Sequence, residues 1–438
     1  MTTLSETIRG INTGALRPSE VVAAALDRLD ATETDIRAWV RVDRAGALSA
    51  ARELDSHDSR GGRSDLSAED LPLRGIPFGV KDIIDVSAQP TECGSPLRRG
   101  RIAAADAWIV DRLRQAGAIP LGKTVTTEFA YFAPGPTRNP HNLTHTPGGS
   151  SSGSAAAVAA GVVPLALGSQ TAGSLTRPAS FCGVAGYVAP VGHWPTTGIT
   201  GLSHRLDAPG LIAATVDDLR LVQAVLSGTT TSPDADAPER ARLRVWTATE
   251  LGDVEQPMRD AVVRAAAGAG AAEADELGWA GRTPALVEAH ATVMAYDSAR
   301  ALAAEAKKPG QLSEPLNELL ERGRRTTDDD YHAALSLAAG ARADLLAVLA
   351  DADAILGPAA LGPAPRGLAA TGTPVLSRPW QLLGLPVLTV PGYRDAAGMP
   401  LGLQLIGHPD RVDRLFTIGQ RIERHARETA SPAGRATA

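Results

Sequence analysis

Three short segments of this chain gather residue types that can do chemistry on a carbonyl group. Gly75-Ile76-Pro77-Phe78-Gly79-Val80-Lys81-Asp82 places a lysine at the end of a run suited to a buried strand. Burial disfavours the charged amine, so such a lysine can stand neutral and accept a proton. Pro147-Gly148-Gly149-Ser150-Ser151-Ser152-Gly153-Ser154 lets the backbone approach closely and take unusual dihedrals, ahead of an alanine-rich helix whose positive end points back at the loop. Gly168-Ser169-Gln170-Thr171-Ala172-Gly173-Ser174 puts a serine after small residues, directly beyond a strand. Successive N–H groups in such a turn can face the oxygen that gains charge when a serine Oγ attacks. Each segment also has an ordinary reading. A Gly/Ser loop is often a plain connection, a lysine ending a strand can reach solvent, and a serine after Ala-Gly can cap a helix.

The surrounding pattern defines the elements that must position these residues. The first 65 residues read as an N-terminal helical region: Ser19 caps a segment with Val21, Val22, Ala25, Leu26 and Leu29 at helical spacing, and a second helix covers 47–54. Residues 59–70 read as a polar loop. From 71 to 228, β-like runs at 76–80, 118–121, 162–167 and 182–188 alternate with helices at 104–116, 152–160 and 216–226. Such alternation predicts an α/β fold with a mixed, largely parallel β-sheet core flanked by helices. Residues 230–350 are alanine-rich and read as a helical excursion that shapes the substrate pocket, with loops at 232–238 and 308–315. Strand signals return at 354–356, 387–390 and 401–406, before a closing helix at 411–425 and a frayed tail at 429–438. Without an internal repeat, residues 1–438 are expected to form a single domain.

Composition narrows the function class. The apolar share of 44% and charged share of 21% suit a globular protein, and a net charge of −6 favours neither nucleic acid nor anionic membrane. The longest mostly apolar run, 155–167, is too short to span a bilayer. Cys93 and Cys182 form no disulfide framework, and the N-terminal stretch has no secretory pattern, so a cytoplasmic setting is expected.

The three segments, in this order, resemble the amidase signature family: a Gly-Val-Lys-Asp segment, a Gly-Gly-Ser-Ser stretch, and a Gly-Ser loop whose serine lies 24 residues after Ser150. The resemblance extends to Gly122-Lys123-Thr124 with Glu128-Phe129-Ala130, to Phe181-Cys182-Gly183-Val184 and to Pro195-Thr196-Thr197-Gly198. It continues in Leu383-Gly384-Leu385-Pro386 and in 400–407, and is weakest over 230–350. It implies a Ser–cisSer–Lys triad with no metal or other cofactor: Ser174 as nucleophile, Ser150 on a cis peptide bond as proton relay, and Lys81 as base. The backbone N–H groups of Thr171, Ala172, Gly173 and Ser174 would hold the oxyanion, and water would release an acyl-enzyme. The implied partner is a small-molecule amide, and homodimers are common in the family.

Several positions depart from the family pattern. Many members have aspartate at the place of Gln170, glycine at that of Ala172 and arginine at that of Thr176, so an internal ion pair is expected to be replaced. The arginine here falls one residue later, at Arg177, a pattern similar to malonamidase-type members in which it holds a substrate carboxylate. The other reading is a buried arginine tying the loop to backbone carbonyls. Val188-Ala189-Pro190 stands where a Lys-Pro-Ser or Lys-Pro-Thr is common. Two motif matches are decoys. Residues 117–124 satisfy the phosphate-loop expression but read as a strand containing a proline, and Ser151 centres a nucleophile-elbow expression without informative Asp and His partners. The expected activity is that of an amidase acting on a small amide, with carboxylate-bearing amides among the candidates. The alternative is a glutaminase-type amidotransferase subunit. Few aromatics (4%) argue against a large aryl pocket.

Overall fold

The computed structural model describes residues 3–59, 71–229, 240–271 and 273–430. The expected loops at 59–70 and 232–238 and the tail at 429–438 fall wholly or mostly outside the described residues. Eleven strands among the described residues form one sheet: β1 (Trp39–Val42), β2 (Pro77–Lys81), β3 (Ile119–Thr124), β4 (Leu165–Gln170), β5 (Ala185–Val188), β6 (Ala208–Ala213), β7 (Arg242–Val245), β8 (Glu273–Glu276), β9 (Ala354–Pro358), β10 (Val387–Arg394) and β11 (Pro400–Ile406). Their order is β1-β3-β2-β4-β6-β5-β10-β11-β9-β7-β8.

The α/β fold with a mixed sheet flanked by helices is as expected, and the detail differs in how the strands run. Parallel ladders join β2 to β3 and β4, and β7 to β8 and β9. The remaining six described ladders are antiparallel, including the whole run from β4 through β6, β5, β10 and β11 to β9. The parallel share is smaller than the alternating pattern suggested because β6 inserts antiparallel between β4 and β5. Its sequence, Ala-Pro-Gly-Leu-Ile-Ala, hides the strand behind proline and glycine.

Three other strands were not anticipated. β1 lies in the region read as helical and pairs antiparallel with β3, while β7 and β8 bring the 230–350 segment back to the sheet edge. Each is only four residues long, too short to show a period. Ser19 is not the cap of its helix: the helix begins at Pro18, whose ring suits a first helical position, and Glu20 reaches back to the Arg17 N–H.

The central strands β2, β3, β4, β6 and β11 are buried along their whole length, because helices cover both faces. Helix Ser152–Ala159 is buried all round and can press on the Val125 backbone because Gly153 has no Cβ. The closing helix Val412–Ala430 turns Leu415, Phe416, Ile422 and Ala426 inward and packs on β10. Helix Asp328–Asp351 is long and apolar enough to cross a membrane by length and composition alone. Its buried stripe, Tyr331, Ala334, Ala338, Ala341, Leu345 and Leu349, has the spacing of a helix lying on a globular body. Arg342 bonds the Leu383 carbonyl, and Asp344 pairs with Arg282, which immediately precedes the packed helix Thr283–Ala301.

Candidate active site

Lys81 ends β2 between β3 and β4, with no exposed surface. Its Nζ lies 2.7 Å from Ser150 Oγ and 2.9 Å from Ser169 Oγ, both within hydrogen-bonding distance. No carboxylate lies within ion-pair distance among the described residues. Burial lowers the Lys81 pKa to about 7, and the Asp207 charge opposes the fall. A substantial neutral fraction therefore exists near neutral pH, as a base requires.

Ser150 and Ser174 come from two loops that are stitched together. The Gly149–Ser150 peptide is cis, and the Ser151 N–H donates to the Ser174 carbonyl at 2.9 Å. Gly148 has φ +81°, and a Cβ there would lie 2.9 Å from Pro178 Cα, so only glycine fits this turn. Ser151, the elbow alternative, has no exposed surface, and its hydroxyl lies 3.4 Å from the Ser169 carbonyl, so that reading is not supported. The phosphate-loop expression at 117–124 lies largely along β3, as its apolar residues suggested.

The Ser174 turn is held from beneath by a neutral amide. Gln170 Oε1 accepts the N–H groups of Leu175 at 3.1 Å and Thr176 at 3.0 Å, and its Nε2 donates to Gln381 Oε1. Gln381 in turn donates to the Gln170 and Leu206 carbonyls. Two glutamines thus stand where a charged pair was expected to be missing. Among the described residues, no protein acceptor takes the N–H groups of Ala172, Gly173 or Ser174, which leaves them available to an oxyanion. The Thr171 carbonyl accepts from His290 Nε2 at 2.7 Å. Burial pulls that imidazole down to about 3, so it is neutral with the proton on Nε2.

Ser150, Ser174, Thr171, Ala172 and Arg177 line one small cavity. Its other walls include Tyr131 and Phe132, from the loop after Ala130, and Met294 from helix Thr283–Ala301. Two of the chain's ten Tyr and Phe residues thus stand at this one cavity. Arg177 is buried, with its Nη2 donating to the Gly149 carbonyl at 2.6 Å and Thr371 Oγ1 at 3.3 Å. Its Nε and Nη1 are buried without a hydrogen-bond partner. Burial, reinforced by Arg378, brings its pKa to about 9, which keeps the guanidinium charged at neutral pH. The backbone tie that one reading foresaw is present, and two donors remain unused.

Sequence reasoning did not single out Ser169, Asp207, His290, Thr371 or Gln381 for this site. Only Ser169 had a local signal, just ahead of the Ser174 turn. The others arrive from distant elements.

The family model described as Amidase matches residues 20–415. A glutamyl-tRNA(Gln) amidotransferase subunit from Anaeromyxobacter sp. (strain K) is 32% identical, across 98% of this chain and 97% of that one. The corresponding protein from Salinibacter ruber is 38% identical over 54% of this chain, and that match spans about half (47%) of the relative's length. A solved amidase crystal structure superposes with a TM-score of 0.86 at 28% identity, covering 96% of this chain and 99% of that one. With its sheet, its buried lysine–serine contact and these similarities together, the chain belongs to the amidase family, whose amidohydrolase chemistry acts on C–N bonds.

Proposed function

We propose that this protein is a stand-alone serine amidase acting on small amides that carry a carboxylate, and that Ser174, Ser150 and Lys81 are its catalytic triad. The observation that carries the reading is the 2.7 Å contact between buried Lys81 and Ser150, a serine that lines one cavity with Ser174. Ser174 Oγ attacks the amide carbonyl carbon. Its proton passes to Ser150 Oγ as the Ser150 proton passes to Lys81 Nζ, so no net charge accumulates on the relay. The N–H groups from Thr171 to Ser174 receive the oxyanion. Collapse breaks the C–N bond, the proton returns through Ser150 to the leaving nitrogen, and water then hydrolyses the acyl-enzyme.

The unused donors of Arg177 support the substrate class. A charged guanidinium beside the reacting serine, with two buried N–H groups unpaired, suits an anionic group on the substrate, as in malonamidase-type enzymes. Met294, in the wall of that cavity, supports a pocket-shaping role for the 230–350 segment.

A second reading, a chain that releases ammonia within an amidotransferase complex, is favoured by the near full-length similarity to a glutamyl-tRNA(Gln) amidotransferase component. Ammonia release by the purified chain alone, across malonamate-like, ureide-like, aryl and aliphatic amides, separates the two. Turnover of a carboxylated amide without added protein supports the stand-alone amidase. Inactivity throughout the panel, with activity restored by partner chains, supports the amidotransferase component. A fluorophosphonate should label Ser174; labelling of Ser151 instead overturns the assignment of the nucleophile.

A further inference from the structure

Asp207 is a buried carboxylate with no part in the steps above. It immediately precedes β6, and the pairing of Gln170 with Ala208 sets it beside Thr171. Its Oδ1 accepts from Thr171 Oγ1, and its Oδ2 accepts the Ser203 N–H at 2.9 Å. A side chain at Gly201 would collide with Oδ2, so the carboxylate is tightly seated. A small second cavity is walled by Asp207, Thr171, Thr200 and Ser169. Ser169 is also the hydroxyl beside Lys81 Nζ. One wall of this cavity is therefore a partner of Lys81, and another is a carboxylate.

The other charges near the pair are engaged or remote. Asp82, next to Lys81 in sequence, pairs with Lys123 of β3. From helix Thr283–Ala301, His290 stands neutral on the Thr171 carbonyl, and Asp297 takes the Ser203 and Tyr331 hydroxyls. His204 lies 3.9 Å from Asp297 and is exposed. Arg177 faces the substrate cavity. Position 170, where an acid would also have faced the site, is a neutral glutamine. Lys81 and Asp207 favour each other's charged forms, with the carboxyl raised by burial to about 6. At low effective dielectric their attraction persists without direct contact.

We infer that Asp207 is a positioning residue for amide hydrolysis: across the Ser169 cavity its carboxylate sets the proton affinity of Lys81, and through Thr171 it anchors the oxyanion loop. This rests on Lys81 being the base. Because Lys81 works in its neutral form and the carboxylate favours the ammonium, removing the charge moves the acid limb of activity to lower pH. It also lowers the plateau, since the ammonium formed during acylation loses its counter-charge.

The test is the pH dependence of fluorophosphonate inactivation for the wild type, Asp207→Asn and Thr171→Val. The Asp207→Asn limb should move down by about one pH unit, the size expected from losing a nearby opposite charge. Thr171→Val removes a donor from the carboxylate, which then holds its proton to higher pH, and the limb should move the same way by less. A merely structural Asp207 would lower the plateau and leave the limb in place, so an unmoved limb in folded Asp207→Asn overturns the inference. If that variant does not fold, an unmoved limb in Thr171→Val does so. Failure of the underlying reading looks different: Lys81→Ala would then keep the wild-type inactivation rate and its limb.

Discussion

Lys81 and Lys123 are equally buried lysines on neighbouring parallel strands, and they have become opposite kinds of residue. Val80 faces Lys123 and Lys81 faces Thr124, so alternation along the strands sends the two amines to opposite faces of the sheet. On one face, Lys123 Nζ meets Asp82 Oδ1 at 3.2 Å and Thr91 Oγ1 at 2.7 Å. On the other, Lys81 meets the hydroxyls of Ser150 and Ser169. Burial lowers both pKa values, but Asp82 directly opposes the fall at Lys123, while Lys81 has only the more distant Asp207. The Lys81-Asp82 dipeptide resembles an ion pair in sequence. In the fold the aspartate belongs to the other lysine, and that separation leaves Lys81 free to lose its proton.

The sharpest way to break this comparison is to replace each lysine with methionine. Lys81→Met should reduce fluorophosphonate inactivation by about 10²–10⁴-fold, the usual worth of a general base, with the unfolding midpoint held or raised. Lys123→Met should do the reverse. Stranding Asp82 should lower stability by about 3–5 kcal/mol in denaturant titrations, while inactivation per folded molecule stays within a few-fold of wild type. If both variants lose activity equally and stability equally, the two lysines are not different in kind.

Arg177→Ala should weaken kcat/KM for carboxylated amides about 10–100-fold, the scale of a charged hydrogen bond, and neutral amides less. Equal losses on both would make the arginine a tie to Gly149 alone. The pH profile offers a further check. With the Lys81 pKa near 7 and the neutral amine as the active form, kcat/KM should rise through pH 7 and level off above it, falling about tenfold per unit well below. Smallest of all, Ser169→Ala removes one of two hydroxyls at Lys81 and should slow turnover by about five-fold, a hydrogen bond of about 1 kcal/mol.

Much of this site was legible because its key parts are local. Lys81 closes an apolar run, and the Gly148-Gly149-Ser150 and Gly173-Ser174 turns announce themselves by composition. The chemical sense of Ser174 still needed family resemblance, since a serine after Ala-Gly reads equally well as a helix cap. Strands 354–358, 387–394 and 400–406 were recognisable from apolar runs, and the amphipathic closing helix from its period. β6 was not, because Pro209 and Gly210 carry turn signals that tertiary pairing overrides.

The sequence by itself determined which residues could react, and that a neutral glutamine stands near Ser174 where many family members have an acid. Tertiary structure alone decided their electrostatics. Asp82 is turned away from Lys81, Asp207 is brought toward it from 126 positions along the chain, and His290 and Gln381 arrive to fasten the Ser174 turn. The physical reason is that a lysine's proton affinity is a property of its surroundings. Desolvation and long-range charge depend on what the fold excludes and admits, and strand register, which local sequence only weakly encodes, settles both.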